Sequence, residues 1–178
     1  MNNQKLILDR ITTILSETDA SNAAKLLALV DGAGRIFVGG AGRSGLVSRF
    51  FAMRLLHSGY KVNLVGEVAT PSIQAGDLLI LVSGSGGTET LLPLVKKAKS
   101  MGAKLAVISM KAKSAMGEVA DLNIQIGNDN SFSPIIAMPM GGQFELSTLI
   151  FLEATIADLI AAKGLTEEGM RAIHANLE

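Results

Sequence analysis

The run Leu78-Leu79-Ile80-Leu81-Val82 is apolar at every position, and Ser83-Gly84-Ser85-Gly86-Gly87-Thr88 follows it at once. A strand with one wet face alternates polar and apolar residues. An unbroken run predicts a strand covered on both faces, as in a parallel sheet. Arg35–Val38, Lys61–Val65, Leu105–Ser109 and Leu122–Ile126 are further short runs of this kind. Helical spacing lies between them. Leu6–Val30 is helical with a break near Glu17–Ser21, where Asp19 and Ser21 are candidate N-caps. Ser44–His57 follows, then Thr88–Met101 up to Gly102, and the short Ser114–Ala120. Gly127–Gly142 reads as loop, with Pro134 and Pro139 in it. Gln143–Lys163 is a long helix stopped by Gly164, and Thr166 caps a last helix to about Ala175.

Strands alternating with helices, joined by right-handed crossovers, predict an α/β fold. The form expected is a three-layer doubly wound parallel sheet of about five strands, flavodoxin-like or Rossmann-like, with helices on both faces. Ligands of such sheets bind beyond the carboxyl ends of the strands, near the switch in winding.

Composition removes several kinds of chemistry. The chain has no cysteine, so thiolate zinc sites, iron–sulfur clusters and cysteine nucleophiles are excluded. Two histidines are too few for an all-histidine catalytic metal site. The 16 Lys and Arg balance the 16 Asp and Glu, and only 4% of residues are aromatic. That leaves neither the charge nor the stacking platforms expected of a nucleic-acid binder. Lys96, Lys97, Lys99, Lys104, Lys111 and Lys113 read as solvated faces. Met1–Arg10 lacks the pattern of a secretory leader, and Glu145, Glu153 and Asp158 interrupt the longest apolar stretch. No membrane partner is expected, and a cytoplasmic location is the default. At 178 residues a single domain is expected.

Two glycine-rich turns carry the functional signal. The first is Gly39-Gly40-Ala41-Gly42-Arg43-Ser44-Gly45, and the second is Ser83–Thr88, each read as opening a helix. Glycines let backbone N–H groups approach a ligand, and helix N-termini add unpaired donors and partial positive charge. Hydroxyls of Ser83, Ser85 and Thr88, with the backbone of Gly84, Gly86 and Gly87, form a set suited to a phosphate monoester. A rival reading uses Gly40-Ala41-Gly42-Arg43-Ser44-Gly45 as a dinucleotide fingerprint, with Glu67 on a ribose hydroxyl. It leaves the second turn, the richer in hydroxyls, without a role.

At these turns the sequence resembles the sugar isomerase (SIS) domain family of phosphosugar isomerases and sensors. The likeness is carried by Gly42-Arg43-Ser44-Gly45 with Phe51–Leu55, by Val65-Gly66-Glu67 and by Ser83–Gly86. It is carried further by Met140–Glu145 and by the ending His174-Ala175-Asn176-Leu177-Glu178. The resemblance covers a core from about 28 to 163, with helices 3–30 and 166–176 packed on it or on neighbouring subunits. It implies interconversion of D-arabino-3-hexulose 6-phosphate and D-fructose 6-phosphate, in the ribulose monophosphate route of formaldehyde handling. Another phosphosugar aldose–ketose isomerisation and a non-catalytic phosphosugar-binding module are the alternatives it leaves. It implies no cofactor, no metal, and a homo-oligomer, expected as a tetramer with sites near subunit boundaries.

By the same likeness Ser44, Ser83, Ser85 and Thr88 are phosphate or hydroxyl ligands, Glu145 is the expected base, and His174 an acid or oxyanion partner supplied from its own or a neighbouring subunit. His57 and Arg43 are further candidates, although a packed histidine and an ion-paired arginine are the plainer readings. The stripe Leu46, Phe50, Met53, His57 has helical spacing, and the Phe and Met residues along Phe50–Met53 and Phe144–Leu152 read as core. Gln143–Lys163 is apolar on nearly every side, which predicts that subunits bury part of it.

Overall fold

In the computed structural model, residues 2–135 and 137–177 are described. The chain runs α1 (Asn3–Ser16), α2 (Ser21–Asp31), β1 (Ile36–Gly40), α3 (Gly42–His57), β2 (Val62–Leu64), β3 (Leu78–Val82). It continues α4 (Leu92–Ser100), β4 (Lys104–Ser109), β5 (Leu122–Gln125), α5 (Gly142–Lys163) and α6 (Glu167–Ala172). The five strands lie in the order β2-β1-β3-β4-β5, every adjacent pair parallel. This is the flavodoxin-like order, in which the winding reverses between β1 and β3. Both glycine-rich turns leave the carboxyl ends of those two strands.

Successive strand residues point to opposite faces. Val38, Ile80, Val82, Ala106, Ile108 and Ile124 meet Ile14, Leu26, Phe51, Leu55, Leu152 and Ile156, from α1, α2, α3 and α5. Phe37, Leu79, Leu81, Leu105 and Val107 meet Val95 and Ala98 of α4 and Met116 on the other face. Coverage on both sides is the reason these strands read as unbroken apolar runs.

Several boundaries differ from the sequence reading. The first helix starts at Asn3, ahead of Leu6, because Asn2 caps it, accepting from the N–H groups of Gln4 (3.0 Å) and Lys5 (3.3 Å). The fourth helix starts at Leu92, four residues after Thr88. Pro93 explains the delay. It has no N–H and fits only the first turn, whereas a helix begun at Thr88 would place it in the interior. Ser114–Ala120 is reduced to a 3₁₀ turn at Gly117–Val119, and α6 ends at Ala172 rather than Ala175.

Two packing expectations are corrected. Of the Phe and Met residues along Phe50–Met53, Phe51 is core, but Phe50 and Met53 are 47% and 48% exposed, on the same outer stripe as Leu46 at 68%. α3 turns its other stripe inward, with Ser44, Val47, Ser48, Phe51 and Leu55 buried. Close approach decides this. A Cβ on Gly45 would lie 2.8 Å from the Gly40 carbonyl oxygen, and one on Gly40 would lie 2.8 Å from that of Val82. Only the face of small residues can come so near the strand ends. α5 is apolar all round because α1, α2 and α3 of its own chain surround it. Phe144, Phe151, Leu152, Ile156 and Leu159 are buried there, and of its large apolar residues only Ile150 is exposed.

Candidate active site

The second turn is built around Gly86, whose φ is +62°, in the left-handed region that favours glycine. A Cβ there would lie 2.2 Å from Ser114 Oγ, so a larger residue is excluded by space as well as by conformation. The turn is pinned from below. Gly86 N–H donates to the Ser83 carbonyl (2.9 Å) and Met116 N–H to that of Gly86 (2.9 Å). Met110 N–H donates to the Gly84 carbonyl (3.0 Å). The side chains of Ser83, Ser85 and Thr88 converge above. Ser83 Oγ and Thr88 Oγ1 are 2.9 Å apart, Ser85 Oγ and Thr88 Oγ1 3.5 Å, and Gly87 N–H donates to Ser85 Oγ (3.2 Å). The hydroxyls satisfy one another and remain free to re-aim at a ligand. Thr88 thus belongs to the turn and does not cap α4.

The first turn enters α3 through Ala41, which is extended, with no side chain capping the helix. The first-turn N–H groups of α3 therefore face the sheet edge as donors. Ser44 is buried in that turn. Gly40 and Gly45 act in close packing of strand against helix. Glu67, the ribose ligand of the dinucleotide reading, is paired with Arg49 (2.7 Å).

Glu145 lies in the first turn of α5, and its side chain is only 10% exposed. The neighbouring Phe144 packs on the second turn. A Cβ added at Gly84 would lie 3.3 Å from Phe144 Cδ1. Arg43, in the first turn of α3, donates from Nε to Glu145 Oε2. The carboxylate, the guanidinium and both glycine-rich turns thus meet at the β1/β3 edge. Arg43 and Glu145 are in direct contact, and the hydroxyls of Ser83, Ser85 and Thr88 are gathered in the second turn.

The two histidines are elsewhere. Their rings stack on each other, with centroids 4.9 Å apart and planes 23° from parallel. His57 is buried at the last residue of α3. The helix rise puts it about 20 Å along the axis from Ser44. α3 and α5 run side by side, cross-linked near their starts by Arg43–Glu145 and further on by Arg54–Glu153 (3.1 Å). His174 therefore sits at the far end from the Glu145 of its own chain. His57 and His174 line a cleft of about 750 Å³ with Phe50, Met53, Arg54 and Met170.

Two residues at this edge escape sequence reasoning. Gln143 is buried and accepts a hydrogen bond from Arg10 Nε (2.6 Å). No local pattern signals a contact spanning 133 positions. Among the described residues, no group of three or more His, Asp or Glu is gathered to hold a metal ion, and no helix is long and apolar enough to cross a membrane.

The SIS domain model matches residues 29–149. A 3-hexulose-6-phosphate isomerase of Methylomonas aminofaciens is 66% identical over 177 residues, 98% of each chain. One from Bacillus subtilis is 43% identical over 150 residues, covering 81% of this chain and 80% of its own. Among solved structures, a Methanococcus jannaschii protein for which a 3-hexulose-6-phosphate isomerase function was inferred superposes with a TM-score of 0.89. It shares 35% identity, and the match covers the whole of both chains. The chain belongs to the SIS domain family, in the group that contains these 3-hexulose-6-phosphate isomerases.

Proposed function

We propose that the chain interconverts D-arabino-3-hexulose 6-phosphate and D-fructose 6-phosphate, the isomerase step of the ribulose monophosphate route. The observation that carries this reading is the pairing of the buried Glu145 with Arg43 of the first turn, while the adjacent Phe144 packs on Gly84 of the hydroxyl-lined turn, in a chain 66% identical to a 3-hexulose-6-phosphate isomerase.

The phosphate sits over Ser83, Ser85 and Thr88, on the N–H groups of the turn and of the α3 start. Each charge-assisted hydrogen bond contributes about 1.5–3 kcal/mol. With the phosphate fixed, C2 and C3 are held toward Glu145. The carboxylate takes the proton from C2, electron density moves onto the C3 oxygen, and a cis-enediol(ate) forms. Glu145 returns a proton to C3 while the carbonyl re-forms at C2. One hydroxyl proton leaves O2 and one arrives at O3, so nothing is gained or lost overall. Arg43, already on the Glu145 carboxylate, supplies donors close to the oxygen that becomes negative. The C3 ketone cannot close a five-membered ring, because its C6 oxygen carries the phosphate. The forward reaction therefore needs no ring opening, whereas cyclic fructose 6-phosphate must open first.

The proton moving between O2 and O3 needs a second group. We propose His174 of a second copy, in a homo-oligomer built on the exposed stripe Leu46, Phe50, Met53. Residue 50 is midway between 43 and 57. A two-fold axis at Phe50, with the two α3 helices antiparallel, lays the His57–His174 end of one copy over the Arg43–Glu145 end of the other. Such an isologous contact is self-complementary by construction. A pair of such dimers is the expected tetramer.

The test is fructose 6-phosphate formation from freshly made hexulose phosphate, run in D₂O. Turnover with deuterium entering at C3 supports the reading. Tight sugar-phosphate binding with no turnover and no exchange would make the chain a phosphosugar-binding module instead.

A further inference from the structure

We propose that Arg10 is a positioning residue for the reaction, and that α1 is the clamp that sets Glu145 in place. The proposal rests on Glu145 as the base. Arg10 lies outside residues 29–149, the span matched by the family model. It nevertheless reaches the loop before α5. Its Nε donates to Gln143 Oε1 (2.6 Å) and its Nη2 to the Ser131 carbonyl. Gln143 Nε2 in turn donates to the Ser133 carbonyl (3.0 Å). Two more residues at the end of α1 hold the same loop, for Ser131 Oγ donates to Glu17 and Gly127 N–H donates to Thr18 Oγ1 (2.9 Å).

Entry into α5 is conformationally unfavourable. Met140 and Gly141 are both left-handed, with φ of +53° and +88°, and no side chain caps the helix. A non-glycine residue in that region persists only where its surroundings over-determine it. The Arg10–Gln143–Ser133 chain of bonds does this two residues before Glu145. Both Arg10 acceptors are neutral oxygens. The guanidinium is thus used for its fixed fork of donors, which one ammonium cannot reproduce. Without the clamp, the first turn of α5 relaxes and the carboxylate leaves its line to the reacting carbons. A misplacement of about 1 Å is worth roughly 10²-fold in rate. The phosphate turn at Ser83–Thr88 has no part in this network and keeps its grip.

The experiment compares R10A, R10K and Q143M with E145Q in the full-length protein. The proposal predicts that R10A lowers kcat at least tenfold with KM changed less than threefold. Added guanidinium ion should restore part of that kcat. R10K should stay well below wild type, and R10A/Q143M should be no worse than either single change. Should R10A not fold, R10K and Q143M decide the matter by the same split between kcat and KM. Wild-type kcat in the folded Arg10 and Gln143 variants overturns the clamp, as does a loss confined to KM. Wild-type activity in E145Q overturns the base assignment instead, so the two failures are told apart.

Discussion

Arg43 Nε donates to Glu145 Oε2 and ties the first turn of α3 to the first turn of α5. The pair joins the two helix starts that border the β1/β3 crevice, so the proposed base is oriented by the same helix whose N-terminus borders the proposed phosphate position. Replacing Glu145 by Gln keeps the shape and one acceptor but removes the base. The expected result is a kcat lower by about 10²–10⁴-fold, with KM little altered and thermal unfolding close to wild type. Steady-state kinetics on the folded variant check it.

Ser83→Ala and Thr88→Val remove hydroxyls from the second turn. Each should lose a charge-assisted bond proposed to reach the ester, which raises KM by roughly tenfold or somewhat more. The effect stays at the lower end because the two hydroxyls already bond each other, so binding exchanges one bond for another. Titrating the variants with fructose 6-phosphate gives the number directly.

Phe50→Asp places a charge in the middle of the apolar stripe on α3. The oligomer should dissociate, read as a lower mass by sedimentation. Activity should fall by about two orders of magnitude, because each site would lose the histidine proposed to come from its neighbour. Unchanged mass would move the interface to another face.

Asp121 supplies a pH prediction independent of the site. Burial alone would raise its pKa. Hydrogen bonds from Lys99 and Lys104 and from the Leu105 N–H outweigh burial and hold it at about 2, against an ordinary 3.8. A carboxyl whose folded value is depressed adds stability that is present above its unfolded pKa and is lost as pH falls through the folded one. Asp121→Asn should therefore be less stable than wild type at neutral pH. The gap should close between pH 3.8 and about 2. Chemical denaturation along that pH series measures it.

Much of this fold is legible in the residues, for a physical reason. Leu78–Val82 is buried on both faces, and that coverage makes its composition unambiguous. The turns after β1 and β3 are legible because glycine and hydroxyl residues cluster where the winding reverses. The orientation of α3 is not. Its more apolar stripe looks like the core face, but Gly45 has to touch Gly40, and close approach outranks apolarity there. The start of α4 is misread at Thr88, because the Ser-Gly-Thr turn looks like a helix opening and the weight of Pro93 is overlooked. The separation of His174 from Glu145 within one chain is not legible either, because it follows from α3 and α5 running side by side. The hold of Arg10 on Gln143 likewise exists only once α1 has docked on α5.

The most direct test is a crystal structure of the assembled protein with fructose 6-phosphate bound. The account predicts the phosphorus between the hydroxyls of Ser83 and Thr88, and C2 and C3 within about 3.5 Å of the Glu145 carboxylate. A phosphate held at any other place, or a Glu145 far from both carbons in every subunit, would contradict it.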